Sequence, residues 1–365
     1  MEGSKKRISL DVIKIVAICF VIYNHTGENG YELFRYAEKE WIRCLAIFLD
    51  VICKSGVPLF FMVSGALLLG REESFKVIFL KRVLRYVVIL LFFSFLYYVR
   101  LYVLHPEYGF SLVFFAKYIY STPFITPFWF LYLYIEFLIM LPLLRAIVKS
   151  IDIRGYVLVI VLMFVMDYIA IPEYLFEFGH INMSFGLLES NIAYPIIGYG
   201  IANVYQGDML KKRNKGRKEE EYFSTSTRRC FVLAVLLLMN FASSFVMNYV
   251  EFNKTGEYSG KFIDNFSYIP AITVFTFIIY LFEIKEITVS DRISWIVEHV
   301  GGCTIGIYLF EEALRDDIFL RIFQFNENQM GGLILCIPYT AGIVICGVGL
   351  SFLLRKVPVL NRLKI

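Results

Sequence analysis

The stretch LDVIKIVAICFVIYNHTG, Leu10 to Gly27, is apolar enough for hydrocarbon yet carries Asp11, Lys14 and His25. Lys14 and His25 are eleven positions apart. At about 100° per residue, eleven steps make three turns plus roughly 20°. Both side chains therefore fall on one helical face, roughly 16 Å apart along the axis. Asp11, three residues before Lys14, shares that side. The segment reads as a membrane-spanning helix with a polar stripe.

Working outward, the whole chain has the same character. Its 365 residues are 58% hydrophobic and 18% aromatic, and mean hydropathy is +0.64. Globular domains run nearer half apolar, so the composition predicts an all-α polytopic membrane protein. Ten apolar runs are each about long enough to cross a bilayer: 9–27, 44–69, 80–104, 127–148, 155–172, 188–205, 230–250, 266–284, 300–323 and 331–354. Residues 105–126 and 173–187 read as interfacial connectors, and QGDMLKKRNKGRKEEEYFSTSTRR, 206–229, as a basic soluble loop. The chain reads as one membrane domain, 1–365, with no separate soluble domain and no internal repeat. The start reads as an uncleaved first span, because Asp11 and Lys14 interrupt what would be a signal-peptide core.

Alternating the spans puts most Lys and Arg on one side. That side holds residues 5–7, 71–85, 145–154, 211–229, 285–292 and 355–364. The positive-inside bias makes it the cytoplasmic side and places both termini there. Net charge is +4, and the basic residues flank apolar segments, so they set topology and give no sign of nucleic-acid binding. The seven cysteines lack metal-ligand spacing and read as small packing residues. His105, His180 and His299 form no ligand pattern, so no metal is expected.

Charged groups inside a bilayer usually face a cavity or a partner. Asp11 and Lys14 suit either a structural ion pair or a polar path leading to His25. KSGVPLFFMVSGALLLG, Lys54 to Gly70, carries Gly56, Pro58, Ser64 and Gly65. These suit small-residue helix packing or a broken helix lining a cavity. FLKRVLRYVVILLF places Lys81, Arg82 and Arg85 at the inner start of the third span, as topology determinants or as phosphate ligands. In PFWFLYLYIEFLIMLP, Trp129, Tyr132 and Glu136 fall within roughly 60° of one another. An acid two turns deep is a candidate functional group. In GGCTIGIYLFEEALRDD, Gly301 to Asp317, Glu311 and Arg315 stand four apart, the spacing of a helix salt bridge.

Together these segments resemble the acyltransferase-3 family of integral membrane acyltransferases. RISLDVIKIVAICFVIYNH matches the family's opening with Arg7, Leu10, Asp11 and His25. GVPLFFMVSG, Gly56 to Gly65, matches a second block. The basic start of the third span, Trp129 with Glu136, and IGIYLFE with Tyr308 also fit. Two positions depart. The family's arginine eleven residues before the histidine is Lys14, which keeps the charge without the bidentate fork. The histidine that many relatives carry in the ninth span is Glu311.

The resemblance implies transfer of an acyl group, often acetyl, from cytoplasmic acyl-coenzyme A to a hydroxyl of a surface or lipid-linked glycan, at a bacterial cytoplasmic membrane. His25 would be the general base, oriented by Glu136 or Glu311. Lys14, Arg82 and Arg85 would bind donor phosphates. Asp11, Ser64, Trp129, Tyr132 and Tyr308 complete the candidate substrate lining. The alternative is a transporter or ligand-binding membrane protein on the same scaffold, with the polar stripe as a solute path. The partners expected are acyl-CoA, a glycan and the bilayer.

Overall fold

The structure is a computed structural model that describes residues 7–176, 189–205, 219–264, 266–323 and 328–356. Residues 177–188, with His180, and 206–218 of the basic loop lie outside the described residues. So do residues 1–6 and 357–365. The described residues contain helices and no strand. That is the expected answer to a solvent in which every backbone N–H and C=O must be satisfied within its own segment.

The main helices are α1 Ile8–Asn24, α2 Glu40–Cys53, α3 Gly56–Leu68, α4 Leu84–Leu104, α5 Leu112–Ser121, α6 Trp129–Ser150, α7 Ile153–Phe176, α8 Ser190–Tyr199, α9 Glu219–Thr255, α10 Tyr268–Ile279, α11 Asp291–Gly302, α12 Thr304–Leu314 and α13 Gln329–Arg355. Side-chain caps start several of them: Ser111, Ser290 and Asn328 each accept a first-turn N–H, satisfying an otherwise orphaned donor.

Helix occurs at each of the ten expected spans. Among the described residues, seven segments are long and apolar enough to cross a membrane: Glu40–Leu68, Phe75–Leu104, Thr126–Ser150, Ile153–Phe176, Phe231–Thr255, Lys261–Ile284 and Gln329–Arg355. Asp291–Gly302 and Thr304–Ile322, bent by 63°, make an eighth if counted as one span. The other two expected spans are shorter. α1 has 17 residues, and α8 has 10 before a π-type turn, Gly200–Tyr205, extends it. Residues 219–229, expected in the soluble loop, are the first turns of α9. The connector 105–126 contains the short apolar helix α5.

The shortness of α1 sets the depth of the site. The helix ends at Asn24, whose Nδ2 donates to the Cys53 carbonyl at 3.2 Å. That carbonyl closes α2, which lies end to end with α3 in one long span. His25 therefore sits level with the α2–α3 break, partway along the span. α2 continues beyond it for thirteen residues, roughly 20 Å at 1.5 Å per residue.

Glycines let the helices around the break approach closely. A Cβ on Gly56 would come within 2.9 Å of the Ala17 carbonyl oxygen on α1. A Cβ on Gly65 would overlap the Pro195 backbone of α8, and one on Gly198 the Met62 backbone of α3. Such contacts drive helix association where lipid offers no hydrophobic contrast. Gly56 and Gly65 are thus packing residues, while Pro58 and Ser64 of the same block face a cavity.

At the opposite end of α1, Arg7 ties three elements together. Its guanidinium donates to Glu283 at 2.8 Å, Asn203 Oδ1 at 3.0 Å and the Ala202 carbonyl at 2.9 Å. Ser9 donates to the same Glu283 carboxylate. This clamp joins the start of α1 to the π-type turns that end α8 and α10.

Candidate active site

The core of the molecule is interrupted by a cavity of about 580 Å³. α3 lines it along its whole length, through Val57, Pro58, Phe60, Val63, Ser64 and Leu67. Thirteen residues of helix make that wall roughly 20 Å long. Lys14 stands toward one end; Asn24, His25, Tyr31, Lys54 and Asp264 belong to the other. Tyr86, Trp129, Phe130, Tyr134, Tyr194, Thr304 and Tyr308 are among the remaining lining residues. The cavity is therefore long, mostly aromatic and apolar, and polar at both ends.

His25 is the residue that terminates α1. The next residues, Thr26 and Gly27, turn the chain away: Thr26 Oγ1 donates to the Tyr23 carbonyl at 2.7 Å, and Gly27 has φ +56. The imidazole Nδ1 lies 2.9 Å from Glu311 Oε2. Glu311 is buried, with 2% of its side chain exposed, against 24% for His25. A neutral imidazole whose Nδ1–H donates to that carboxylate leaves its Nε2 lone pair free, and the ring lines the cavity. Among the described residues Nε2 has no hydrogen-bond partner. A carboxylate-oriented imidazole facing a substrate-sized space is equipped to take and return a proton.

Glu311 is held by the way α12 is anchored. Tyr97 of α4 donates to the Leu309 carbonyl at 3.1 Å and accepts from the Ala313 N–H at 3.2 Å, bracketing Glu311. Tyr308 donates to the Pro127 carbonyl at 2.5 Å. A π-type turn, Arg315–Phe319, follows directly; such turns recur at functional sites. Arg315 does not form the pair with Glu311 that their spacing suggested. It lies 2.9 Å from Asp316 and 3.9 Å from Glu312, leaving the Glu311 oxygen to His25.

The other candidates divide. Lys14, His25, Ser64, Trp129 and Tyr308 line the cavity. Asp11 pairs with Lys14 at 2.5 Å and packs beneath Gly301. Glu136 points elsewhere: its Oε2 accepts from Asn191 Nδ2 at 3.0 Å, so Glu311, and not Glu136, is the acid on the imidazole. Tyr132 donates to the Ile119 carbonyl at 2.6 Å and holds α5. Arg82 is engaged by Glu73 through two bonds, 2.9 and 2.6 Å. Arg145 reaches the same carboxylate at 2.9 Å. The two guanidiniums hold the Glu73 carboxyl down at about 2. Arg85 lies over the ring of Tyr86, 5.4 Å from its centroid, and Tyr86 in turn lines the cavity.

Sequence reasoning missed the far end. Lys54 lies 2.6 Å from Asp264 Oδ1 and donates to the Tyr31 hydroxyl at 3.1 Å. Tyr31 donates to the same Asp264 oxygen at 3.2 Å. Asp50, one turn before Lys54 on α2, is fully buried behind it. Lys54 falls inside the expected span 44–69. Nothing in the spacing of Tyr31 and Asp264, 233 residues apart, joins them to it.

Neither a curated protein nor a solved structure matches the chain significantly. The acyltransferase-3 family model, described as an acyltransferase domain, matches residues 7–356. With a match over essentially its whole length, the chain belongs to the acyltransferase-3 family, as a multi-pass membrane acyltransferase.

Proposed function

We propose that the protein moves an acyl group, acetyl in the simplest case, from cytoplasmic acyl-coenzyme A to a hydroxyl of a surface or lipid-linked glycan. One observation carries this reading: a single long cavity holds a cation, Lys14, toward one end and an oriented imidazole, His25, toward the other. An extended thioester donor fits such a shape. Its phosphates would stay near the basic end, with Lys14 at the entrance and Arg82 and Arg85 close by around Tyr86. Arg82 would have to share Glu73 or exchange it for phosphate. The acyl group would lie beside His25.

The chemistry then follows from the imidazole. Nε2 takes the proton of the acceptor hydroxyl as its oxygen attacks the thioester carbonyl. Glu311 stabilises the imidazolium through Nδ1. A C–O bond forms, the C–S bond breaks, and the proton on Nε2 passes to the departing thiolate. Atoms, protons and electrons balance within the step as written, so it calls for no redox partner.

The test is transfer of label from acetyl- or succinyl-coenzyme A in membranes holding the protein and the native envelope acceptor. Label in the glycan fraction supports the proposal. No transfer from either donor, with the protein folded in those membranes, would contradict it and favour a role in solute passage or binding.

A further inference from the structure

The far end of the cavity is built from three side chains that come from distant parts of the chain. Lys54 stands at the α2–α3 break, Tyr31 on the turn after α1, and Asp264 at the end of the short helix Lys261–Asp264. All three line the same cavity as His25, together with Asn24 and Ser267. They form a closed triangle, with contacts of 2.6, 3.1 and 3.2 Å. Burial, and the Asp264 carboxylate beside it, push the Tyr31 phenol up, so it remains a donor. Asp50 is sealed in the wall behind Lys54 and does not join the lining.

The hydrogen-bond capacity left over defines what this face can accept. An ammonium has three donors. One N–H of Lys54 goes to Tyr31 and one faces Asp264, so one remains. Asp264 Oδ1 serves both partners, while Oδ2 has no hydrogen bond among the described residues. Half of the Asp264 side chain is exposed, 56% against 33% for Lys54. The triangle therefore offers one donor and one acceptor side by side without breaking its ion pair. Adjacent hydroxyls use both. A carboxylate on the ligand would meet Asp264, and an ammonium would meet Lys54. Each could bind only through the one group of opposite charge, where it would lie against the like-charged partner already paired there, and such a like-charge juxtaposition is unfavourable. The aromatic wall of Trp129, Phe130 and Tyr308 supplies flat apolar surface for the C–H face of a ring.

We infer that Tyr31, Lys54 and Asp264 form the acceptor subsite and that it selects an uncharged polyhydroxyl segment over a uronic acid or an amino sugar. The inference rests on the acyl-transfer reading for the word acceptor; the ligand preference itself does not depend on transfer.

The experiment uses the full chain in lipid nanodiscs and three soluble probes. These are a neutral hexose trisaccharide, the same trisaccharide with one uronate, and the same with one amino sugar. Binding is followed by tryptophan fluorescence, or by calorimetry if the optical change is small. Wild type should bind the neutral probe about tenfold or more tighter than either charged one, the size of one charge-assisted contact. Asp264→Asn should erase the discrimination against the uronate, and Lys54→Met that against the amino sugar. Tyr31→Phe keeps the ion pair, and should weaken all three probes about threefold with their order unchanged, as expected for one neutral hydrogen bond. Equal binding of the three probes by wild type would overturn the inference. So would a preference for a charged probe, variants that move all probes alike, or no binding by protein that keeps its wild-type melting temperature. Transfer of label without charge discrimination would spare the acyltransferase reading and sink only this subsite. Discrimination without transfer would do the reverse.

Discussion

Replacing Glu311 by Gln tests the pairing on which the proposed chemistry depends. The side chain keeps its size and can still touch Nδ1 of His25, now as an amide at the 2.9 Å position of Oε2. What goes is the charge. In the proposed step the imidazolium would lie against a carboxylate of which only 2% is exposed, where water screens little. A hydrogen bond to a charged group contributes about 1.5–3 kcal/mol. Loss of tautomer control adds to it, since the amide can present its NH2 to Nδ1 and turn the base away. Together these predict a fall in kcat of about 10²–10³, or about 2.7–4 kcal/mol. KM for the donor should change little, because Glu311 is not among the lining residues. The assay is steady-state transfer of labelled acyl groups by purified protein in nanodiscs, with a thermal melt beside it to show folding. Glu311→Asp should also lose most activity, since one methylene fewer draws the carboxylate back from the ring. Activity within threefold of wild type for the folded Gln variant would refute the reasoning, as would a change confined to KM.

Three further outcomes follow from other parts of the molecule. Lys14→Met should raise KM for the acyl-CoA donor about tenfold, the size of one charged phosphate contact, and leave kcat nearly unchanged; initial-rate kinetics over a donor titration check it. Gly65→Ala places a methyl group on the Pro195 backbone, where no side chain can yield, and should cost about 3 kcal/mol or more, read as a large fall in melting temperature. Glu73, held down at about 2 by Arg82 and then Arg145, has a folded pKa below its unfolded value. Its contribution is therefore complete above the unfolded value of about 4.3 and lost as pH falls from there toward 2. After allowance for solvent screening it amounts to about 1–2 kcal/mol. Melting curves from pH 6 to 3 should show a steeper acid loss for wild type than for Glu73→Gln.

Much of the architecture is legible because hydrocarbon allows few solutions. Apolar runs of about twenty residues must be helices, and each expected span contains one. The ends were less legible, for local reasons. α1 stops at Asn24 because Asn24 bonds across to Cys53 and the Thr26–Gly27 turn leads the chain away. A hydropathy pattern does not register a tertiary contact. The opening of α9 is charged, EEEYFSTSTRR, and composition alone makes that look like loop, whereas helix continues through it.

The site divides along the same line. Lys14 and His25 share a face because eleven residues is close to three turns, a fact of helix geometry visible in one segment. Their place on a single cavity depends on α3, whose Gly56 lets it lie against α1. Glu311 meets His25 across 286 residues. The spacing to Arg315 pointed toward a local salt bridge that Asp316 takes instead. Glu136 looked equally suited as an intramembrane acid, but Asn191 occupies it. Tyr31, Lys54 and Asp264 come from three unrelated stretches, so only the packing joins them.

The most direct test of the central claim is acyl transfer by His25→Ala compared with wild type, both reconstituted with donor on the basic side and glycan acceptor on the other. The account predicts that label reaches the acceptor with wild type and falls to background with the variant, while donor binding is retained. Transfer by folded His25→Ala at a rate near wild type would contradict it.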